Sequence, residues 1–158
     1  MDPNVLACKD WKDLLQQLID SRAWIYFNQG LDIRVMTAEK AAMLKQIKIK
    51  RIHFAYDRWQ DKKMIEPKFR TFRDTTGWGR TKIMVYCLSN FDSTIEQDLD
   101  RVSFLRTQNF QPYIMLYDKQ HLKRGDIHFK LARWVNFPAF FWKFGTFDEY
   151  LAHEKETH

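Results

Sequence analysis

A chain of 158 residues with 45% hydrophobic and 16% aromatic content is long enough for one domain with a real core and too apolar to be disordered. Its formal charge of +6 is compatible with an anionic partner, but the excess is spread along the chain, with small clusters only at residues 45–51 and 119–124, so a solvated basic surface competes with a dedicated nucleic-acid stripe. Two distant cysteines, Cys8 and Cys87, make neither a zinc site nor a disulfide framework and read as free thiols, while the short apolar runs and the missing leader pattern exclude a membrane span and predict a cytoplasmic protein.

In chain order, residues 1–6 read as loop. Asp10 is placed to cap a helix in which Trp11, Leu14, Leu15, Leu18 and Ile19 form one apolar stripe ending near Ser21. Residues 23–27 predict the first strand. It stops at Asn28-Gln29-Gly30, where the glycine permits a positive φ, and Asp32 and Arg34 follow. Thr37 caps a second helix that buries Ala41, Leu44 and Ile47, with Lys48 and Lys50 near its end. Residues 51–56 predict the second strand, closed by Asp57. A third helix carries Pro67 in its first turn and runs through Phe69 and Phe72, until Gly77 and Gly79 break the chain around Trp78.

Residues 82–88 predict the third strand. Ser93 or Asp92 caps a fourth helix with Ile95, Leu99, Val102 and Leu105 on its buried face, and Asn109 closes it. Pro112 opens a fourth strand over residues 113–117. Leu131, Trp134 and Val135 suggest a fifth helix stopped before Pro138, and a last short helix spans residues 147–151. A single domain over residues 1–153 is expected, with a frayed tail at 154–158.

Strands alternating with helices imply βαβ crossovers and a parallel sheet. The near-continuous apolar strands predict cover on both faces. Four strands are too few to close a barrel of the usual eight, which leaves half a barrel or a small open sheet. Each strand ends on polar groups: Asn28 and Gln29, Tyr56 and Asp57, Ser89 and Asn90, Tyr117 and Asp118. In a parallel sheet these share one edge, the default place for a ligand, although strand ends are also polar simply because loops are wet.

Other chemistry is weak. No G-x-G-x-x-G loop and no nucleophile elbow occur. His53 reads as a satisfied core histidine. His121 and His128 read as loop residues near Asp118 and Asp126, without a metal spacing. The aromatic run from Trp134 to Phe144 reads as a packing lid, with a stacking platform for bases as the sharper alternative.

Several stretches together resemble the later part of radical SAM domains, most closely those carried by phages and bacterial mobile elements. They are Asp2-Pro3-Asn4-Val5-Leu6, Phe27-Asn28-Gln29-Gly30-Leu31-Asp32-Ile33-Arg34 and Ile52-His53-Phe54-Ala55-Tyr56-Asp57. Tyr86-Cys87-Leu88-Ser89-Asn90, Asp98-Leu99-Asp100-Arg101-Val102, Pro112-Tyr113-Ile114-Met115 and Leu131-Ala132-Arg133-Trp134-Val135-Asn136 continue the likeness.

The resemblance implies a partial TIM-type barrel, here its C-terminal half, with about four parallel strands. Asp2-Pro3-Asn4 would follow the family's third strand. The resemblance also implies that Asn28, Gln29, Asp32 and Arg34 contact S-adenosylmethionine (SAM). Tyr56, Asp57, Ser89, Asn90 and Tyr117 are then expected on the substrate side. The family's C-x-x-x-C-x-x-C triad, which binds a [4Fe–4S] cluster, is absent from this sequence. The implied protein is therefore a fragment without radical chemistry of its own. It would associate with a missing N-terminal half, or with itself, through the exposed edge of its first strand. The alternative is a non-catalytic module whose basic, aromatic surface binds nucleic acid or a protein.

Overall fold

A computed structural model describes residues 4–123 and 125–157. Helix α1 (Trp11–Ser21) leads into strand β1 (Trp24–Leu31). Then α2 (Ala38–Gln46), β2 (Lys48–Ala55), α3 (Lys62–Thr76), β3 (Ile83–Ser89), α4 (Ile95–Thr107) and β4 (Gln111–Leu116) alternate. Helices α5 (Ile127–Asn136), α6 (Pro138–Lys143) and α7 (Phe147–Glu156) follow. The strands form one sheet in the order β1-β2-β3-β4, each pair parallel. The fold is therefore α/β, and the four strands and their alternation with helices are as expected.

Only one face of the sheet is fully covered. Ile52 and Phe54 of β2, and Ile83, Val85 and Cys87 of β3, are buried in the same core as Leu44, Phe69, Phe72, Val102 and Leu105 from the helices. Phe54 meets Phe69 and Phe72 edge-on, with centroids 5.8 and 5.0 Å away. The opposite face carries Trp24, Tyr26, Tyr113 and Met115, all exposed, and Met84 and Tyr86, half-buried. This corrects the expectation of two covered faces. Large amphipathic aromatics make a strand read as continuously apolar, yet keep a polar tip in water.

The edges are handled differently. On β4, Asn136 closes the outer side at one point: its amide accepts from Ile114 N at 2.7 Å and donates to Ile114 O at 2.9 Å. Pro112 lies inside β4, not before it, as an edge strand permits. β1 is the other edge, and among the described residues it pairs only with β2.

Several local expectations are also corrected. Asp10 precedes α1 but makes no side-chain cap. Thr94, not Ser93 or Asp92, caps α4 through a capping box with Gln97, because Ser93 is drawn to Asp98. Lys48 and Lys50 belong to β2 and not to the end of α2. Pro67 sits inside α3 and has no N–H to give to the carbonyl of Lys63, an exposed residue one turn before it. Residues 154–156 are helical and not frayed, since Glu154 pairs with Lys130 at 2.8 Å and Arg133 at 3.5 Å. Asp2, Pro3, Arg124 and His158 lie outside the described residues.

Candidate functional site

The polar ends of the strands do lie along one edge, but they do not share one pocket. β1 runs past Phe27 and ends at Leu31, so Asn28 and Gln29 lie within the strand. Between the pairs Phe27–Ile52 and Leu31–Phe54, β1 inserts Asn28, Gln29 and Gly30 opposite His53 alone. This bulge bends an edge strand and leaves Asn28 and Gln29 facing solvent. Gly30 keeps a backbone outside the left-handed region, unlike Gly77 and Gly125, so the predicted positive φ is not used. His53 is satisfied as expected: its Nδ1–H donates to Phe27 O at 2.8 Å and its ring stacks on Tyr86 at 5.4 Å.

Beyond β1, buried Ile33 pins a single 3-10 turn, Ile33–Val35. The Asp32 carboxylate accepts from Arg34 N at 2.9 Å and from Arg34 Nε and Nη2 at 2.8 and 2.7 Å. The Arg34 guanidinium bonded to it holds the Asp32 carboxyl below the usual carboxylate range. Across from this turn, Asp57 follows β2 and accepts from Leu88 N at 3.2 Å, which ties the tip of β2 to β3. Asp32, Arg34, Asp57, Arg58, Asp61 and Asn4 line an open cleft of about 460 Å³, within the range of small-molecule sites. Asn4 was not singled out as a site residue by sequence, nor were Arg58 and Asp61. The first ends the Asp2-Pro3-Asn4 stretch and the others lie within four residues after Asp57, but isolated polar residues carry no signal of direction.

The remaining expected site residues do structural work. Tyr56 is fully buried, and its hydroxyl donates to Glu66 Oε1 at 3.3 Å. Burial beside Glu66 pushes its phenol far above the ordinary value. Ser89 is also fully buried and donates to Asp98. Asn90, at φ 63°, donates from Nδ2 to Tyr117 O at 3.4 Å, and Tyr117 packs its exposed ring on Phe91. These four stitch β2, β3 and β4 together behind and beside the cleft. Behind them Arg101, with no exposed surface, donates to Tyr56 O and Leu88 O, each at 2.6 Å, and to Asp98 at 2.5 Å.

The acids of the cleft differ in ionisation. Crowding pushes the Asp57 carboxyl up, against the pull of Leu88 N and Arg101. Its surface is nevertheless exposed at the rim, so water limits the size of the effect. A raised folded value means that the folded state binds more protons than the unfolded one, and stability falls as pH rises through that window. Asp32 has the opposite sign: its contribution is present above the unfolded value and is lost as pH falls through the folded one. Carboxyl-detected NMR titration is expected to show Asp57 titrating above Asp32. Asp57→Asn, which keeps an acceptor for Leu88 N, is expected to raise the urea midpoint slightly at neutral pH and not near pH 3.

The thiols are unsuited to a cluster. Cys8 is half-buried beside the Asn4 carbonyl, and burial pushes the Cys87 thiol up to about 12. Among the described residues no three His, Cys, Asp or Glu side chains are placed to share a metal ion, and no helix is long and apolar enough to cross a membrane. The chain matches no family model, no curated protein and no solved structure.

Proposed function

We propose that this chain is the C-terminal part of a radical SAM-type (β/α) barrel domain and contributes one side of a SAM and substrate site at its strand tips. The observation that carries the reading is the cleft where the Asn4 segment, the Asp32–Arg34 turn and the Asp57–Asp61 connection meet outside the carboxyl ends of parallel strands. Strands laid down in sequence order with alternating helices support one arc of a barrel. So does α1, which leads into an edge strand as a crossover helix would from a preceding strand, with Leu14 left exposed. On this reading a further parallel strand from the N-terminal part of the domain pairs with β1.

The chemistry of the cleft suits such a ligand. Arg34, anchored by Asp32 on one side, keeps donors for a ligand carboxylate. The carboxylate of Asp57 suits ribose hydroxyls or a cationic centre. The cluster does not fit this chain, because it has only two cysteines, one of them buried, and three ligands are required. No radical step is assigned to these residues, and a separate segment carrying the triad would have to supply it.

Anaerobic reconstitution of the purified chain with iron, sulfide, dithionite and SAM tests this. The expected result is no stoichiometric cluster and no 5′-deoxyadenosine from the chain alone. Both are expected once it is co-produced with a polypeptide bearing C-x-x-x-C-x-x-C, sought in the reading frame upstream. Cluster and 5′-deoxyadenosine from the chain by itself, or neither from the pair, would overturn the reading.

A further inference from the structure

We infer that the open face of the sheet is a stacking platform for single-stranded nucleic acid. The four strands contain no aspartate or glutamate, while β2 carries Lys48, Lys50 and Arg51. On the open face Trp24 and Tyr26 of β1 are 61% and 55% exposed. Lys50 Nζ lies 5.9 and 5.5 Å from their ring centroids. Tyr26 is in register with Arg51, and Tyr86 with Tyr113. Tyr86 stacks on His53 and meets Tyr113 edge-on at 5.8 Å. Rings therefore run across all four strands; at roughly 4.8 Å per strand and about 3.3 Å per residue, with Tyr113 about four residues further along than the level of Tyr26, the two lie on the order of 19 Å apart, room for more than one base.

The cations continue at the amino ends of the strands. There Arg51, Arg80, Gln111 and Trp142 border a hollow of about 500 Å³, with Arg80 over the Trp142 ring at 4.3 Å. Lys50, Arg51 and Arg80 make no ion pair among the described residues.

This pairing of exposed rings with unpaired cations selects the occupant. An apolar protein surface would strand Lys50 and Arg51 without partners, which is costly. A duplex hides its base faces from the rings. A single strand offers both phosphates and stackable bases. The inference is independent of the strand-tip reading: in a completed barrel this helix-free face would line the interior, so the platform is assigned to this chain by itself and is tested on it alone.

The test is fluorescence anisotropy of the whole chain with labelled oligouridylate and oligothymidylate of about 12 nucleotides, between about 50 and 200 mM salt. Binding is expected to fall with salt, and Lys50→Gln with Arg51→Gln and Arg80→Gln to flatten that dependence. Trp24→Ala with Tyr26→Ala is expected to weaken binding roughly tenfold or more. Both rings are exposed, so circular dichroism should show an unchanged fold. A preference for either oligomer supports the inference, and oligodeoxyuridylate separates the effect of the sugar from that of the thymine methyl. Absence of binding by folded protein at the lowest salt, equal competition by a duplex of the same length, or indifference to the Trp24 and Tyr26 changes would overturn it. Capture of the face by a polypeptide instead would also overturn it.

Discussion

Arg101→Met is expected to destabilise the fold by about 3–5 kcal/mol, the usual cost of removing one partner from a buried ion pair. Arg101 and Asp98 have fully buried side chains one turn apart on α4. The guanidinium also serves the carbonyls of Tyr56 and Leu88, at the tips of β2 and β3. Without it, the partners left to Asp98 among the described residues are the hydroxyls of Ser89 and Ser93, and one buried and one half-buried carbonyl lose a charged donor. Replacing both charges, as in Asp98→Leu with Arg101→Met, is expected to recover only part of the loss, since those carbonyls stay unpaired. Urea unfolding measures this, with the midpoint moving and the slope constant. The same variant loosens the two strand tips that carry Asp57, so an effect on ligand binding at the cleft should accompany it.

Phe69→Ala is expected to cost about 3–5 kcal/mol through the cavity it leaves. Phe69 is fully buried on α3, with its ring 5.8 Å from Phe54, 6.2 Å from Tyr56, 6.3 Å from Phe104 and 5.9 Å from Phe110. It thus joins β2, α3, α4 and the entry to β4. Four aromatic rings cannot collapse onto an alanine without leaving their own rotamers. Phe69→Leu, which keeps much of the volume, should cost clearly less in the same urea experiment. A domain of ordinary stability has about 5–15 kcal/mol in all, so the alanine variant is expected near the edge of folding.

The parallel order was legible because Ile, Val and aromatic runs alternate with helical stripes, and Thr37 announced α2 through its cap on Lys40 N. The extent of β1 was not. Asn28-Gln29-Gly30 has the composition of a turn, and only pairing with β2 makes it a bulge. Burial of the strand-end polar residues was equally hidden. Ser89 faces inward because Asp98, nine residues on, reaches it from α4, and no local pattern distinguishes it from Asn90. Asp32 and Arg34 were legible as polar residues beyond the first strand, but the ion pair between them was not, and Asn4 joins the cleft through tertiary packing alone. α6 was missed because Phe137, Phe140, Phe141 and Trp142 are apolar around the whole turn and leave no stripe to read.

If the cleft at the tips of β1 and β2 binds SAM as proposed, a backbone NMR titration of the chain with SAM up to millimolar concentration reads the binding directly. Shifts confined to residues 30–34 and 55–61 and to Asn4, abolished by Arg34→Ala, are the predicted result. No shifts at saturating millimolar SAM, or shifts gathered elsewhere on the molecule, would contradict it.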